Sequence, residues 1–226
     1  MYKYLLFDAD NTLLDFNKGE RCALNKVLAD SPLDFSDEVY EVYHKINDDL
    51  WKKLEKGEIE RSKLRVVRFE QLFDVYGFNG KEYGEIIDSR FLAAMSEQAY
   101  IIDGVYDVLD HLCSKYKLYL ITNASVSVQK KRIAKTSFDK YFNKYYISEE
   151  IGAYKPQIEF FDAVINDIGD FNRKNYLVIG DSLSSDIKGA VSSGLDCCFY
   201  NPTNMSVTDI KPTYVINDIC ELLEIL

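Results

Sequence analysis

Histidine occurs only twice in the 226-residue chain, at His44 and His111, and both lie in stretches with helical apolar spacing. A histidine nucleophile or a Ser-His-Asp triad is therefore poorly supported. Five cysteines, Cys22, Cys113, Cys197, Cys198 and Cys220, make an odd count without a Cys-x-x-Cys pair. That pattern suits neither a disulfide framework nor a zinc site, and reduced, mainly buried thiols are expected. With four prolines, no low-complexity tract and no internal repeat, the chain offers no obvious flexible linker. No segment approaches the roughly 20 consecutive apolar residues of a membrane span. Near the N-terminus Asp8 stands where the apolar region of a signal peptide would continue. The expectation is a cytoplasmic protein without a membrane partner. Cations are the minority, 27 Lys+Arg against 37 Asp+Glu for a net charge of -10, so bulk nucleic acid would be repelled at long range. Gly-x-Gly-x-x-Gly and Walker sequences are also missing.

What remains is a globular composition, 47% hydrophobic and 28% charged, too apolar for a disordered chain. Short apolar runs at Tyr4 to Phe7, Leu118 to Thr122, Tyr145 to Ile147, Tyr176 to Ile179, Cys197 to Tyr200 and Tyr214 to Ile216 read as buried strands. Helix-period segments lie between them, for example Val105, Val108, Leu109 and Leu112. Strand, helix, strand repeats predict an α/β protein with a doubly wound parallel sheet, a Rossmann-like core with right-handed crossovers. From about Gly19 to Met95 only helical periods recur, so an all-helical insertion interrupts the core after its first strand. The expected division is a core of residues 1–15 and 99–226 and a helical domain of residues 16–98. The insertion contains one basic stretch, with Arg61, Lys63, Arg65 and Arg68 between Glu60 and Glu70. Those cations either steer an anionic substrate or form a solvated, ion-paired helix face.

The first strand runs into Asp8 and Asp10, at the carboxyl end where open α/β sheets bind ligands. Two carboxylates so close need a cation or a shared proton, and Mg²⁺ accepts one or two carboxylates together with phosphate oxygens. An exposed acidic turn is the alternative. An EF-hand fails, since Leu13 and Gly19 stand where its glycine and bidentate glutamate belong. A second acidic site, Gly180, Asp181 and Asp186, follows another strand, with a helix expected from about Ser185. It reads either as a helix cap or as the other half of a metal site. Thr122 and Asn123, before a helix start, form either a cap or an anion cradle. Lys155 precedes Pro156 and gains meaning only from its place between these elements.

Taken in order, Asp8-x-Asp10-x-Thr12, Thr122, Lys155 and Gly180-Asp181-x4-Asp186 resemble the four-motif signature of the haloacid dehalogenase-like hydrolase superfamily. An insertion after the first motif is where a helical cap of that superfamily sits. The resemblance implies that Asp8 is the nucleophile and that Asp10 is the acid for the leaving group and then the base for water. It implies that Thr122, Asn123 and Lys155 hold the phosphoryl group, and that Asp8, Asp10 through its main-chain carbonyl, Asp181 and Asp186 bind Mg²⁺. An acid two residues after the nucleophile suits an alkoxide leaving phosphorus, whereas a dehalogenase attacking carbon needs none. The stretches from Leu5 to Phe16 and from Gly180 to Ala190 are most similar to the noncanonical pyrimidine 5′-nucleotidase branch, with Ile158 where relatives often carry a second proline. This implies a phosphomonoesterase for nucleoside 5′-monophosphates, monomeric or homodimeric. The same core would also serve a phosphatase for sugar phosphates or phosphoglycolate. An idle module that merely binds phosphorylated ligands would need every chemical position filled by coincidence.

Overall fold

The computed structural model describes residues 2–207 and 209–226. The apolar runs become β1 (Tyr4–Asp8), β2 (Lys117–Thr122), β3 (Phe142–Ile147), β4 (Tyr176–Gly180), β5 (Asp196–Tyr200) and β6 (Tyr214–Ile216). They form the expected parallel sheet, in the order β3-β2-β1-β4-β5-β6. The chain winds outward from β1 to β3, then returns to lay β4 on the other side of β1. The crevice beyond the carboxyl ends of β1 and β4 is thus the point where the winding reverses.

In chain order the helices are α1 (Phe16–Leu28), α2 (Asp37–Glu55), α3 (Arg61–Val75), α4 (Gly80–Met95), α5 (Val105–Leu112), α6 (Val126–Ile133), α7 (Ser148–Ile151), α8 (Ile158–Ile168), α9 (Lys188–Ser192) and α10 (Leu222–Ile225). Contacts divide the chain into two compact units, Met1–Phe16 with Ala99–Leu226, and Asn17–Gln98. In the first unit the two-residue period of β1 sends Leu5 and Phe7 to the layer built with Val105, Leu109 and Leu112. Leu6 goes to the opposite layer, with Phe160, Phe161 and Val164. Covered on both sides, the central strands have no polar face, which is why they read as unbroken apolar runs.

Three expectations need correction. β3 starts at Phe142 rather than Tyr145, because exposed Asn143 and Lys144 interrupt its apolar pattern at the sheet edge. After β4 the chain first makes a wide π turn, Leu183–Ile187, and the α-helix begins only at Lys188. Of the cysteines, only Cys197 and Cys198, on β5, are buried, while Cys113 and Cys220 are exposed.

The Asn17–Gln98 unit, described by itself, holds a chain of buried polar groups. Glu20 on α1 is fully buried and accepts hydrogen bonds from Asn47 Nδ2 at 3.0 Å and from the hydroxyl of Tyr40 at 3.5 Å, with His44 Nδ1 at 3.0 Å. Arg68 donates to Asn47 Oδ1 at 3.2 Å and to Asp88 Oδ1 at 3.1 Å, its guanidinium 4.8 Å from each of the Phe69 and Phe91 ring centroids. Arg65 donates twice to Asp88 Oδ2, at 3.1 and 2.8 Å. The basic stretch is therefore divided: Lys63 is exposed and Arg61 half-buried, whereas Arg68 is buried and, with Arg65, neutralises an interior aspartate. Removing one partner of such a buried pair strands the other charge, which is why they occur together.

His44 is the titrating member of this network. Its hydrogen bond to Glu20 raises its pKa above 6.5 against the opposing effect of partial burial, with Asp48 and Glu41 adding to the rise. A raised histidine pKa stabilises the fold fully below the unfolded value and loses that stabilisation as pH rises through the folded value. His44→Gln should therefore be less stable than wild type by about 1 kcal/mol at mildly acidic pH, allowing for screening at a half-exposed ring. The gap should close in alkaline solution. Denaturant titrations at several pH values check this, and a gap independent of pH contradicts it.

Candidate active site

β1 delivers Asp8, 6% exposed, to the end of the sheet in register with Ile121 of β2. The chain then folds back at once. Asn11 takes φ 61°, a left-handed conformation that a short polar side chain tolerates. The turn brings the Leu13 and Leu14 N–H groups onto the carbonyl of Ala9, at 3.0 and 2.8 Å. Thr12 is buried inside it, and its hydroxyl donates to Asp181 Oδ1 at 3.3 Å.

On the other side of the reversal, β4 ends at Gly180 and the π turn carries Asp186 back over it. Ser182 N–H donates to Asp186 Oδ2 at 3.1 Å. A Cβ on Gly180 would lie 2.4 Å from the Asp186 carboxyl carbon and oxygen. Glycine is needed here because the carboxylate occupies the space of a side chain. The π turn matters for the same reason, since it sets where the Asp186 side chain emerges.

Lys155 comes from the turn between α7 and α8. Its main chain is clamped by Asn123, whose Nδ2 donates to Lys155 O at 2.8 Å and whose Oδ1 accepts from Lys155 N at 2.9 Å. The side chain is 2% exposed and reaches under the strand ends, donating to Asp8 Oδ1 at 2.5 Å and Asp186 Oδ1 at 2.7 Å. Carboxylate oxygens of Asp8, Asp181 and Asp186 all lie within 4.8 Å of one another. One ammonium thus faces three carboxylates. Two like charges about 4 Å apart repel by about 4 kcal/mol at an effective dielectric constant of 20.

The titration directions express that excess. Burial pushes the Asp8 carboxyl well up, Lys155 pulls it back, and the neighbouring aspartates push again. Burial, then the charge of Asp186, raises Asp181 to about 7. Burial opposes the charge on Lys155, but Asp186 and Asp8 outweigh it and keep the amine protonated. A further cation among the three carboxylates would relieve both burial and repulsion, and their oxygen-only donor set is of the hard kind that suits Mg²⁺.

Of the residues singled out by sequence, Asp8, Lys155, Asp181 and Asp186 converge. Thr122 is buried at the end of β2, directly after the Ile121 that pairs with Asp8. Asn123 engages the main chain of Lys155. The N–H of Val126, first residue of α6, is taken by the carboxylate of Glu149 at 2.6 Å. Asp10 turns its carboxylate toward Arg132, whose NH1 donates to Asp10 Oδ1 at 2.5 Å. Sequence reasoning missed Arg132 because it closes a Lys-Lys-Arg run that reads as solvated. The usable signal was helical: Val128, Gln129, Arg132 and Ile133 share the buried face of α6 while Lys130 and Lys131 are exposed.

Residues 2–194 match the family model described as haloacid dehalogenase-like hydrolase. Along 100% of its length the chain is 34% identical to pyrimidine 5′-nucleotidase PynA of Streptococcus pneumoniae, covering 95% of that protein. It is 29% identical to pyrimidine 5′-nucleotidase YjjG of Escherichia coli, with 100% of this chain and 98% of the relative covered. The crystal structure of the HAD-hydrolase YfnB from Bacillus subtilis, bound to magnesium, has a TM-score of 0.93 at 34% identity, over 99% of this chain and 98% of that one.

The close approach at Gly180 yields a test. Gly180→Ala should destabilise the protein by about 1–3 kcal/mol, because the new methyl must displace Asp186 from Lys155 or bend the end of β4. Equilibrium denaturation measures it, and an unchanged midpoint would mean that Asp186 has room to move.

Proposed function

The chain belongs to the haloacid dehalogenase-like hydrolase family, and on that premise we propose that it is a Mg²⁺-dependent phosphomonoesterase acting on nucleoside 5′-monophosphates through an aspartyl-phosphate. The observation that carries the chemistry is the single buried lysine shared by Asp8 and Asp186, with Asp181 beside them, at the reversal point of the sheet. Similarity to PynA and YjjG along the whole chain supports the substrate class. A magnesium-bound relative of the same fold, YfnB, supports the metal.

In this reading a carboxylate oxygen of Asp8 attacks phosphorus, and the bond to the leaving oxygen breaks with its electron pair. Asp10 supplies the proton that turns the departing alkoxide into an alcohol. Water then attacks the aspartyl-phosphate and gives its proton to Asp10. The phosphorus–Asp8 bond breaks, restoring the carboxylate and releasing phosphate. Lys155 holds Asp8 in place and offers positive charge where the transferring group accumulates negative charge, while Thr122 offers its hydroxyl to a phosphoryl oxygen. Mg²⁺, held by Asp8, Asp181, Asp186 and the main-chain carbonyl of Asp10, would supply further charge neutralisation on the phosphoryl group.

Asp8→Asn keeps the shape of the side chain but removes the nucleophilic anion, and one fewer carboxylate lowers repulsion in the cluster. Phosphate release should fall to background while stability is retained. Near-normal turnover, with deamidation excluded by mass spectrometry, would sink the covalent mechanism. Activity should also vanish in excess EDTA and return with Mg²⁺, whereas Ca²⁺, preferring more ligands at longer distances, should inhibit. A phosphate-release panel of nucleotides and sugar phosphates decides the substrate class. Preference for sugar phosphates or phosphoglycolate would replace the nucleotide assignment and leave the core chemistry standing.

A further inference from the structure

Arg132 is among the largest fully buried side chains of the protein, 1% exposed, although Lys130 and Lys131 beside it on α6 face solvent. An apolar side chain would fill that helix face without the desolvation that a guanidinium suffers. Asp10, Gln129 and Phe16 are among the groups that restrain the cation. Asp10 Oδ1 accepts from NH1 at 2.5 Å, and Gln129 Oε1, one turn earlier on α6, accepts from the same nitrogen at 2.9 Å. The guanidinium carbon also lies 5.7 Å from the centroid of the Phe16 ring, at the start of α1. Gln129 is itself fully buried, so the group that orients Arg132 is as immobile as the helix.

The carboxylate at the far end is different. The Asp10 side chain is 25% exposed and belongs to the tight turn after β1, where Asp10 bridges to Leu14. A proton-transfer group must lie within hydrogen-bonding reach and point correctly before its acidity counts. Buried on one side and accessible on the other, the Arg132–Asp10 pair sets the direction of a partly exposed carboxylate from a buried support. We propose that Arg132 is a positioning residue for the reaction: it fixes Asp10 through Oδ1 so that Oδ2 meets the leaving-group oxygen first and the attacking water second. The proposal rests on the phosphomonoesterase reading for the role of Asp10, and goes beyond it in assigning the orientation of that group to a helix outside the four motifs.

The test uses the full-length enzyme with Mg²⁺ and compares an alkyl phosphomonoester, whose alkoxide needs a proton to leave, with p-nitrophenyl phosphate, whose phenolate does not. Arg132→Met should lower kcat for the alkyl ester by about 100-fold with KM changed less than about threefold. Single-turnover release of nitrophenolate should stay within about threefold of wild type. Arg132→Lys, which keeps a donor, should recover part of the loss. In an Asp10→Asn background the Arg132→Met change should cost nothing more, since the group it positions is already gone. Equal losses on both esters from folded Arg132→Met protein would overturn the proposal and leave Arg132 a structural residue. So would an additional loss in the double variant. If Arg132→Met does not fold, Arg132→Lys with and without Asp10→Asn carries the same comparison. An Asp10→Asn enzyme that treats both esters alike would overturn the acid role of Asp10 itself, a separate failure visible before Arg132 is touched.

Discussion

One buried ammonium makes the rest of the site possible. Lys155 meets Asp8 and Asp186 together, and without it these two buried carboxylates would lose the cation that both contact. Much nearby detail exists to bring that nitrogen there. Asn123 clamps the main chain of Lys155, Gly180 gives up a side chain so that Asp186 can fold back, and the π turn delivers Asp186 from the right side. Each of these is a local irregularity that a stability argument alone would not require.

The cation is insufficient for three carboxylates, and that deficit is the link between structure and chemistry. Burial and mutual repulsion raise Asp8 and Asp181 above ordinary carboxylates. A cation placed among three such carboxylates would lower their mutual repulsion, and oxygen donors of this hard kind suit Mg²⁺. The sheet supplies the geometry: β1 and β4 are adjacent although about 170 residues separate them in sequence, so Asp8 and Asp181 leave neighbouring strand ends.

The Asn17–Gln98 unit solves a comparable problem differently. Its interior charges, Glu20, Arg68 and Asp88, are satisfied by one another and by Asn47, Tyr40, His44 and Arg65, so little charge is left over. A closed network specifies how four helices pack, because a slipped register would strand a buried charge. The α/β unit leaves negative charge in excess at its strand ends, whereas the helical unit balances the charges of its interior.

The amino-acid sequence by itself determined the presence of the strands though not every boundary, their parallel arrangement with intervening helices, and the order of Asp8, Lys155, Asp181 and Asp186 along the chain. Strands buried on both faces show as short unbroken apolar runs and helices as apolar residues at a 3.6-residue period, and a strand end bearing carboxylates is visible within ten residues of sequence. Only tertiary structure decided the partners. Nothing local tells Arg68 from a solvated cation, or Arg132 from Lys130 and Lys131, until α3 meets Asp88 and α6 meets the turn after β1. Nor could the sequence show that Asn123 holds the main chain of Lys155, 32 residues away, or that Glu149 fills the start of α6. Apolar periodicity is a property of one element, but neutralising a buried charge requires a second element at a few ångströms. That distance exists only once the chain has packed.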